Sequence, residues 1–281
     1  MPRIHLLALI ALAASPLLAQ THHAPKAPKS LRLYIFDCGV LKPMDAKAFG
    51  FDHVSELNMS VPCFLVAHPK GTMMWDVGVV PDSDFKADGA PVKQGFIEVA
   101  KPLKPQLEAI GYEPQDIEYL SFSHYHIDHT ANANMFAGST WLVEQPERDI
   151  MFSDKPAAVR NEKFFNLLKD SKTKIIPSDA DYDVFGDGTV IIKPAQGHTP
   201  GHQVLYLKLP KTGPVLVAGD LYHYNEERFT DHVPNFEYNK EQSLASRAKI
   251  EAFLKQSHAQ LWIEHDYTAN AKLKKSPAYY D

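Results

Sequence analysis

Apolar and polar residues alternate over residues 31–36 (LRLYIF), a period of two that reads as a strand. Two more strand-like runs, 61–68 and 72–77, flank Pro69-Lys70-Gly71, whose turn chemistry predicts a hairpin. Residues 102–110 read as a short helix closed by Gly111. An apolar strand over 117–123 runs directly into a histidine-rich segment. A short strand at 140–143 precedes helices over 146–152 and 157–168, the second with Phe164, Phe165, Leu167 and Leu168 on one apolar face. Strands follow at 190–193, 204–209 and 215–218, then an amphipathic helix over 240–255 and a last strand at 261–263. Hairpins dominate the start and helices are interspersed later. The pattern predicts an α+β fold of two mixed sheets packed together with helices outside, in one domain over 31–281.

The amino terminus changes the picture. Arg3 precedes a short apolar run at 6–14, and Ser15-Pro16 and the small residue Ala19 follow. This is the layout of a signal peptide over 1–19, cleaved after Ala19. The run is too short, and too interrupted by Pro16, to span a bilayer. Residues 20–30 form a polar, proline-punctuated linker. The mature protein is therefore expected to be exported, periplasmic or secreted, with no membrane segment. With 44% hydrophobic and 22% charged residues in 281, the composition is that of a globular protein. A formal charge of −5 argues against nucleic acid and anionic membrane as partners. Two cysteines exclude a disulfide scaffold. Cys38 and Cys63 are able to pair in an oxidising compartment, but each lies in an apolar run where a buried thiol is common, and the reading favours free thiols.

The densest chemistry is His124-Tyr125-His126-Ile127-Asp128-His129 at the end of an apolar strand. On an extended turn His124 and His126 point the same way, and Asp128 and His129 swing to the other side as a helix begins. Four ligands split in this way suit two adjacent cations. Nitrogen and carboxylate donors favour Zn2+, with Fe, Mn or Co left open. Two ions need more ligands, and three more stand at strand ends or turns: His198 in Gly197-His198-Thr199-Pro200-Gly201-His202, Asp220 after Val215–Gly219, and His265 after the last strand. The expected sets are His124, His126 and His198 on one ion, and Asp128, His129 and His265 on the other, with Asp220 bridging. That arrangement leaves a position for a water whose pKa falls from about 16 toward about 7.

These segments, with Ala218-Gly219-Asp220 and Ile263-Glu264-His265-Asp266, resemble the metallo-β-lactamase superfamily. Leu33-Tyr34-Ile35-Phe36-Asp37-Cys38-Gly39 and Trp75-Asp76-Val77-Gly78 resemble its N-acyl-homoserine lactonase family, and the likeness runs over 31–266. It implies an αββα sandwich and a di-zinc hydrolase that opens N-acyl-homoserine lactones through a metal-bridging hydroxide, a quorum-quenching activity. The bridging aspartate distinguishes the chain from the true β-lactamases. Export argues against glutathione thioesters, and the lack of a basic cluster argues against phosphodiester polymers. The alternatives are an exported hydrolase of organophosphate triesters, aryl esters or β-lactams, and a non-catalytic metal-binding protein. A homodimer is left open.

Three residues are candidates for catalysis beyond the metal. Asp128 is either ligand only or also a proton shuttle to the leaving oxygen. In the lactonases a tyrosine three residues after the bridging aspartate binds the substrate carbonyl; here that position is His223, flanked by Tyr222 and Tyr224. The same hydrogen bond is expected from His223 or, by a one-residue shift, from Tyr222. Asp76 is placed to accept an N–H from a ligand imidazole, and His202 reads as structural. Met44, Phe49, Phe51, Phe229 and Phe236 lie in loop-like segments suited to an acyl-chain groove.

Overall fold

The computed structural model describes residues 25–281, apart from the side chains of 156–160. The leader expected over 1–19, and part of the linker, lie outside the described residues. No helix among those described is long and apolar enough to cross a membrane.

The first sheet is built from β1 (Arg32–Leu41), β2 (Met59–His68), β3 (Gly71–Trp75), β4 (Val92–Gln94), β5 (Ile97–Val99), β6 (Tyr119–Ser121), β7 (Thr140–Glu144) and β8 (Thr173–Ile176), in the order β4-β5-β1-β2-β3-β6-β7-β8. The second contains β9 (Tyr182–Asp183), β10 (Val190–Pro194), β11 (Gln203–Leu209), β12 (Gly213–Val217) and β13 (Gln260–Trp262), in the order β13-β12-β11-β10-β9. A carboxy-terminal β14 (Tyr279–Tyr280) returns to pair with β1. Both sheets are mixed. The β1–β2–β3 ladder is antiparallel and β3–β6–β7–β8 parallel, while β12 pairs β11 antiparallel and β13 parallel. The helices are α1 (Leu103–Glu108), α2 (Ile127–Thr130), α3 (Gln145–Met151), α4 (Pro156–Phe165), α5 (Lys240–Ser257) and α6 (Tyr267–Asn270).

Alternation along the strands builds the layers. Leu33 and Ile35 of β1, Phe64 and Val66 of β2, and Met73 and Trp75 of β3 meet Leu205, Leu207, Val215 and Val217 of the second sheet in the central core. The intervening residues Phe36, Leu65 and Met74 face outward and pack with Leu103 and Leu107 of α1, Met151 of α3 and Phe165 of α4. On the far side Val204 and Leu216 meet Ile250 and Leu254 of α5. The order is helix, sheet, sheet, helix: the expected αββα sandwich. Strands covered on both faces read as near-continuous apolar runs, which is why they stand out in the sequence.

Several boundaries differ. β1 runs on to Leu41 through a bulge between Asp37 and Val40. Gly39 in that bulge has φ +134, and a Cβ there would lie 2.9 Å from Val99 Cγ2, so the bend needs glycine. α4 stops at Phe165 and tightens into a 3-10 turn, Asn166–Asp170. Phe165 and Leu168 are buried but Leu167 is 54% exposed, so the apolar face is narrower than expected.

The cysteines are also corrected. Cys38 and Cys63 form a disulfide, with Cα atoms 5.9 Å apart. Phe36 is the ladder partner of Cys63, so Cys38 stands diagonally across from it on the same outward face. Diagonal neighbours in a regular ladder sit about 7–8 Å apart; the bulge beside Cys38 draws the pair within bonding reach.

Candidate metal centre

Four chain segments deliver donors to one end of the sandwich. β6 ends at Ser121, and the chain passes through Ser123 and His124 into α2. Asp76, just after β3, pins that passage by accepting the Ser123 N–H at 2.7 Å and its hydroxyl at 2.9 Å. The turn between β10 and β11 carries His198. Gly197 begins it with φ +138, and a Cβ there would lie 2.2 Å from the Ser243 nitrogen of α5. β12 delivers Asp220 and β13 delivers His265. Gly219, φ +52, brings Asp220 close to the His124 loop: a Cβ on it would sit 2.5 Å from Ser123 Cβ.

The seven residues expected to hold metal all meet here, in two sets: His124, His126, His198 and Asp220, and Asp128, His129 and His265. His198 Nε2 lies 3.2 Å from His124 Nε2 and 3.0 Å from His126 Nδ1. Asp220 divides its oxygens between the sets. Oδ2 is 3.3 Å from His198 Nε2 and 3.5 Å from His124 Nε2, whereas Oδ1 is 3.1 Å from His129 Nε2 and 3.0 Å from His265 Nε2. Asp128 Oδ2 completes the second set, 3.5 Å from His265 Nε2 and 3.7 Å from His129 Nε2. Ligands about 2.0–2.1 Å from a tetrahedral zinc lie roughly 3.3 Å from one another, and these separations are of that size.

The remaining ring nitrogens fix which atom faces inward. His129 Nδ1 lies 2.8 Å from Asp76 Oδ2, His198 Nδ1 2.7 Å from Glu237 Oε1, and His265 Nδ1 2.8 Å from the Ser60 carbonyl. An Nδ1–H donated to each oxygen leaves the Nε2 lone pair for a cation. The role expected of Asp76 is thus the one it occupies. His202 is structural, as expected: its Nδ1 meets the Ala195 carbonyl at 2.9 Å and its Nε2 accepts the Asp220 N–H at 3.0 Å.

The electrostatics also suit positive charge. Burial drives His124 well below the ordinary imidazole range and His126 down to about 3, so both stay neutral donors. Asp220 is held well below the carboxylate range: burial pushes it up, but His265, His129 and His124 outweigh that. Asp220 Oδ1 and His129 Nε2 are buried with no hydrogen-bond partner. Such orphaned atoms are costly unless something outside the chain satisfies them, and a pair of cations fits this donor set.

Above these residues opens a cavity of about 280 Å³. His126, Asp128, His198, Asp220, His223 and His265 form its floor, with Leu41, Met44, Phe49, Met59, Ile127 and Phe236 as apolar walls. Of the aromatic groove expected from the sequence, Phe51 packs instead on Tyr224 and His232, and Phe229 is 77% exposed, away from the cavity.

The two candidates beside Asp220 separate cleanly. His223 Nε2 lies 3.4 Å from Asp220 Oδ2 and faces the cavity. Behind it, buried Glu227 accepts the His223 and Tyr224 N–H groups at 3.2 and 3.3 Å and pairs with Arg247. Against the cost of burial, Glu227 and Asp220 raise the His223 pKa to about 10. Tyr222 is corrected: its side chain is buried among Ile250 and Leu254 of α5, and its hydroxyl donates to Glu251 at 3.2 Å. On an extended stretch adjacent side chains point oppositely, so only one of the two reaches the cavity. Glu237, the Ser60 carbonyl and Glu227 were not foreseen. Glu237 sits in a loop and Glu227 in a short 3-10 turn, Asn225–Phe229, neither within a sequence motif, and a backbone carbonyl leaves no mark in sequence.

Comparisons with known proteins supply the family. The metallo-beta-lactamase superfamily model matches residues 58–254. The N-acyl homoserine lactonase AttM of Azorhizobium caulinodans is 30% identical over 266 residues, covering 89% of this chain and 99% of that protein. The lactonase AiiA of Bacillus thuringiensis subsp. kurstaki is 28% identical over 233 residues, 79% of this chain and 88% of its own. A crystal structure of a B. thuringiensis AiiA variant with N-decanoyl-L-homoserine bound superposes with a TM-score of 0.72 at 25% identity, over 88% of this chain and 98% of that one. By domain, by relatives and by architecture, this chain belongs to the metallo-beta-lactamase superfamily and, within it, to the N-acyl homoserine lactonase family.

Proposed function

We propose that the protein hydrolyses the lactone ring of N-acyl-homoserine lactones with the help of two zinc ions, one held by His124, His126 and His198, the other by Asp128, His129 and His265, and both by Asp220. The observation that carries this reading is an apolar cavity opening directly over a donor set that Asp220 divides in two. Its walls suit a neutral acyl chain, and its floor suits an ester carbonyl. When bound, the cations supply Lewis acidity, polarising the carbonyl and bringing the pKa of water toward neutrality.

The chain's own residues do the rest. Asp128 lies at the cavity floor with 15% of its side chain exposed, placed to take a proton from the attacking water and return it to the ring oxygen as the ring opens. His223 donates its Nε2–H to the substrate carbonyl, the task of the tyrosine that the family carries there. The Met44, Phe49 and Phe236 side chains exclude water from the acyl chain. Purified protein loaded with zinc should release protons from acyl-homoserine lactones of several chain lengths. An aryl phosphotriester and a chromogenic β-lactam run alongside; turnover of either with the lactones untouched overturns the reading.

The mature protein is proposed to be exported, beginning at Gln20. The Cys38–Cys63 disulfide supports this, because such bonds persist in oxidising compartments. Sequencing the amino terminus of protein recovered from the periplasm or medium checks it. A chain still beginning at Met1 there sinks the cleavage site.

A further inference from the structure

Glu147 is buried beneath the metal centre, 3% exposed, and the mechanism above gives it no task. It sits in the first turn of α3 with three donors converging on its carboxylate. Oε1 accepts the Tyr125 N–H at 2.7 Å. Oε2 accepts the Thr199 hydroxyl at 2.8 Å and the Gly201 N–H at 2.9 Å. Tyr125 stands between His124 and His126, and Thr199 and Gly201 belong to the turn that carries His198. A Cβ on Gly201 would lie 2.6 Å from Glu147 Cβ and 2.8 Å from its nitrogen, so that turn is pressed onto α3.

We infer that Glu147 is a positioning residue for one metal position only, that of His124, His126 and His198, clasping together the two loops that carry those ligands. The inference rests on the two-ion reading above. Every group facing the carboxylate is a donor, so both oxygens must accept, and no neutral side chain of the same shape does this. The second position has supports of its own. Asp76 holds His129, the Ser60 carbonyl holds His265, and α2 is tied to the β3 loop by Val77 N–H to the His129 carbonyl at 2.8 Å and Ala131 N–H to the Gly78 carbonyl at 3.0 Å. None of these contacts passes through Glu147.

The test is metal retention in competition with a chelator, read alongside the visible spectrum of the cobalt(II)-substituted protein. Glu147→Gln turns an amide NH2 toward one set of donors. It should weaken one ion about 10- to 100-fold, the usual effect of removing such a support. At a chelator concentration where the unsubstituted protein keeps two equivalents, Glu147→Gln keeps one. Asp128→Asn, which alters a donor of the second position alone, should weaken the other ion, so the cobalt spectra of the two single-ion proteins differ. A merely structural role lowers thermal stability without separating the ions. Thr199→Val removes one donor and should weaken the same ion as Glu147→Gln by less, and it carries the test if Glu147→Gln does not fold. Equal retention in Glu147→Gln and the unsubstituted protein, joint loss of both ions, or identical spectra for Glu147→Gln and Asp128→Asn overturns the inference. Fewer than two equivalents in the unsubstituted protein overturns the two-ion reading itself, and this inference with it.

Discussion

At the floor of the cavity, His129, His198 and His265 each present their second ring nitrogen to an oxygen 2.7–2.8 Å away. At the rim, Phe49 lies edge-on to Phe236 at 5.2 Å and 5.0 Å from the His223 ring, so these side chains meet through ring packing. Directional bonds fix a geometry; apolar contacts fix only a volume. The floor is therefore built for one chemistry, and the rim for a choice among acyl chains.

Four substitutions separate the two regions. The largest effect is expected at Asp220, which serves both donor sets: Asp220→Ala should lose both ions by elemental assay and lower kcat/KM by about three orders of magnitude or more. Next comes the border between floor and rim. His223→Phe removes the hydrogen bond to the substrate carbonyl and should lower kcat roughly 100-fold while the metal content stays at two equivalents; unchanged turnover removes His223 from the mechanism. Phe236→Ala enlarges the rim, where the ring also lies edge-on against His198 and His223. It should alter the ratio of kcat/KM between long and short acyl chains by about tenfold, the scale of one or two methylenes, and lower kcat for the preferred chain less than His223→Phe does. The smallest effect is expected at Phe229, which is 77% exposed: Phe229→Ala should shift unfolding free energy by less than about 0.5 kcal/mol in a denaturant titration and change no kinetic constant. A selectivity change there would mean that the rim reaches farther than the cavity walls.

The same contrast explains what the sequence discloses. Ligands such as His124, His126 and His198 sit in compact motifs at the ends of apolar strands, and their chemistry demands particular residue types, so the donor set is legible. The sandwich is legible because strands buried on both faces need unbroken apolar runs. Contacts between distant segments are not. Glu237 and His198 are 39 residues apart, and no local pattern marks their pairing. The bulge beside Gly39 moves Cys38 toward Cys63 through a backbone irregularity that side-chain alternation does not encode. Spacing puts His223 at the position three residues after Asp220 and Tyr222 one residue short of it; the direction of the backbone after Asp220 decides which of them faces the cavity. The short strands β4, β5, β8, β9 and β14 offer two to four residues each, too few for a period of two to show.

Gly219 shows where this leaves the protein's capacity for change. Its missing side chain lets the strand end bearing Asp220 lie against Ser123, and even a methyl group there would come within 2.8 Å of His202 Nε2. Gly197 is under the same constraint against α5. Both positions bar even alanine, so the two turns that bring the donors together admit no side chain at all. Room to accommodate a different substrate lies instead in the aromatic and aliphatic side chains above the reacting centre, where one residue can be exchanged for another without removing a donor.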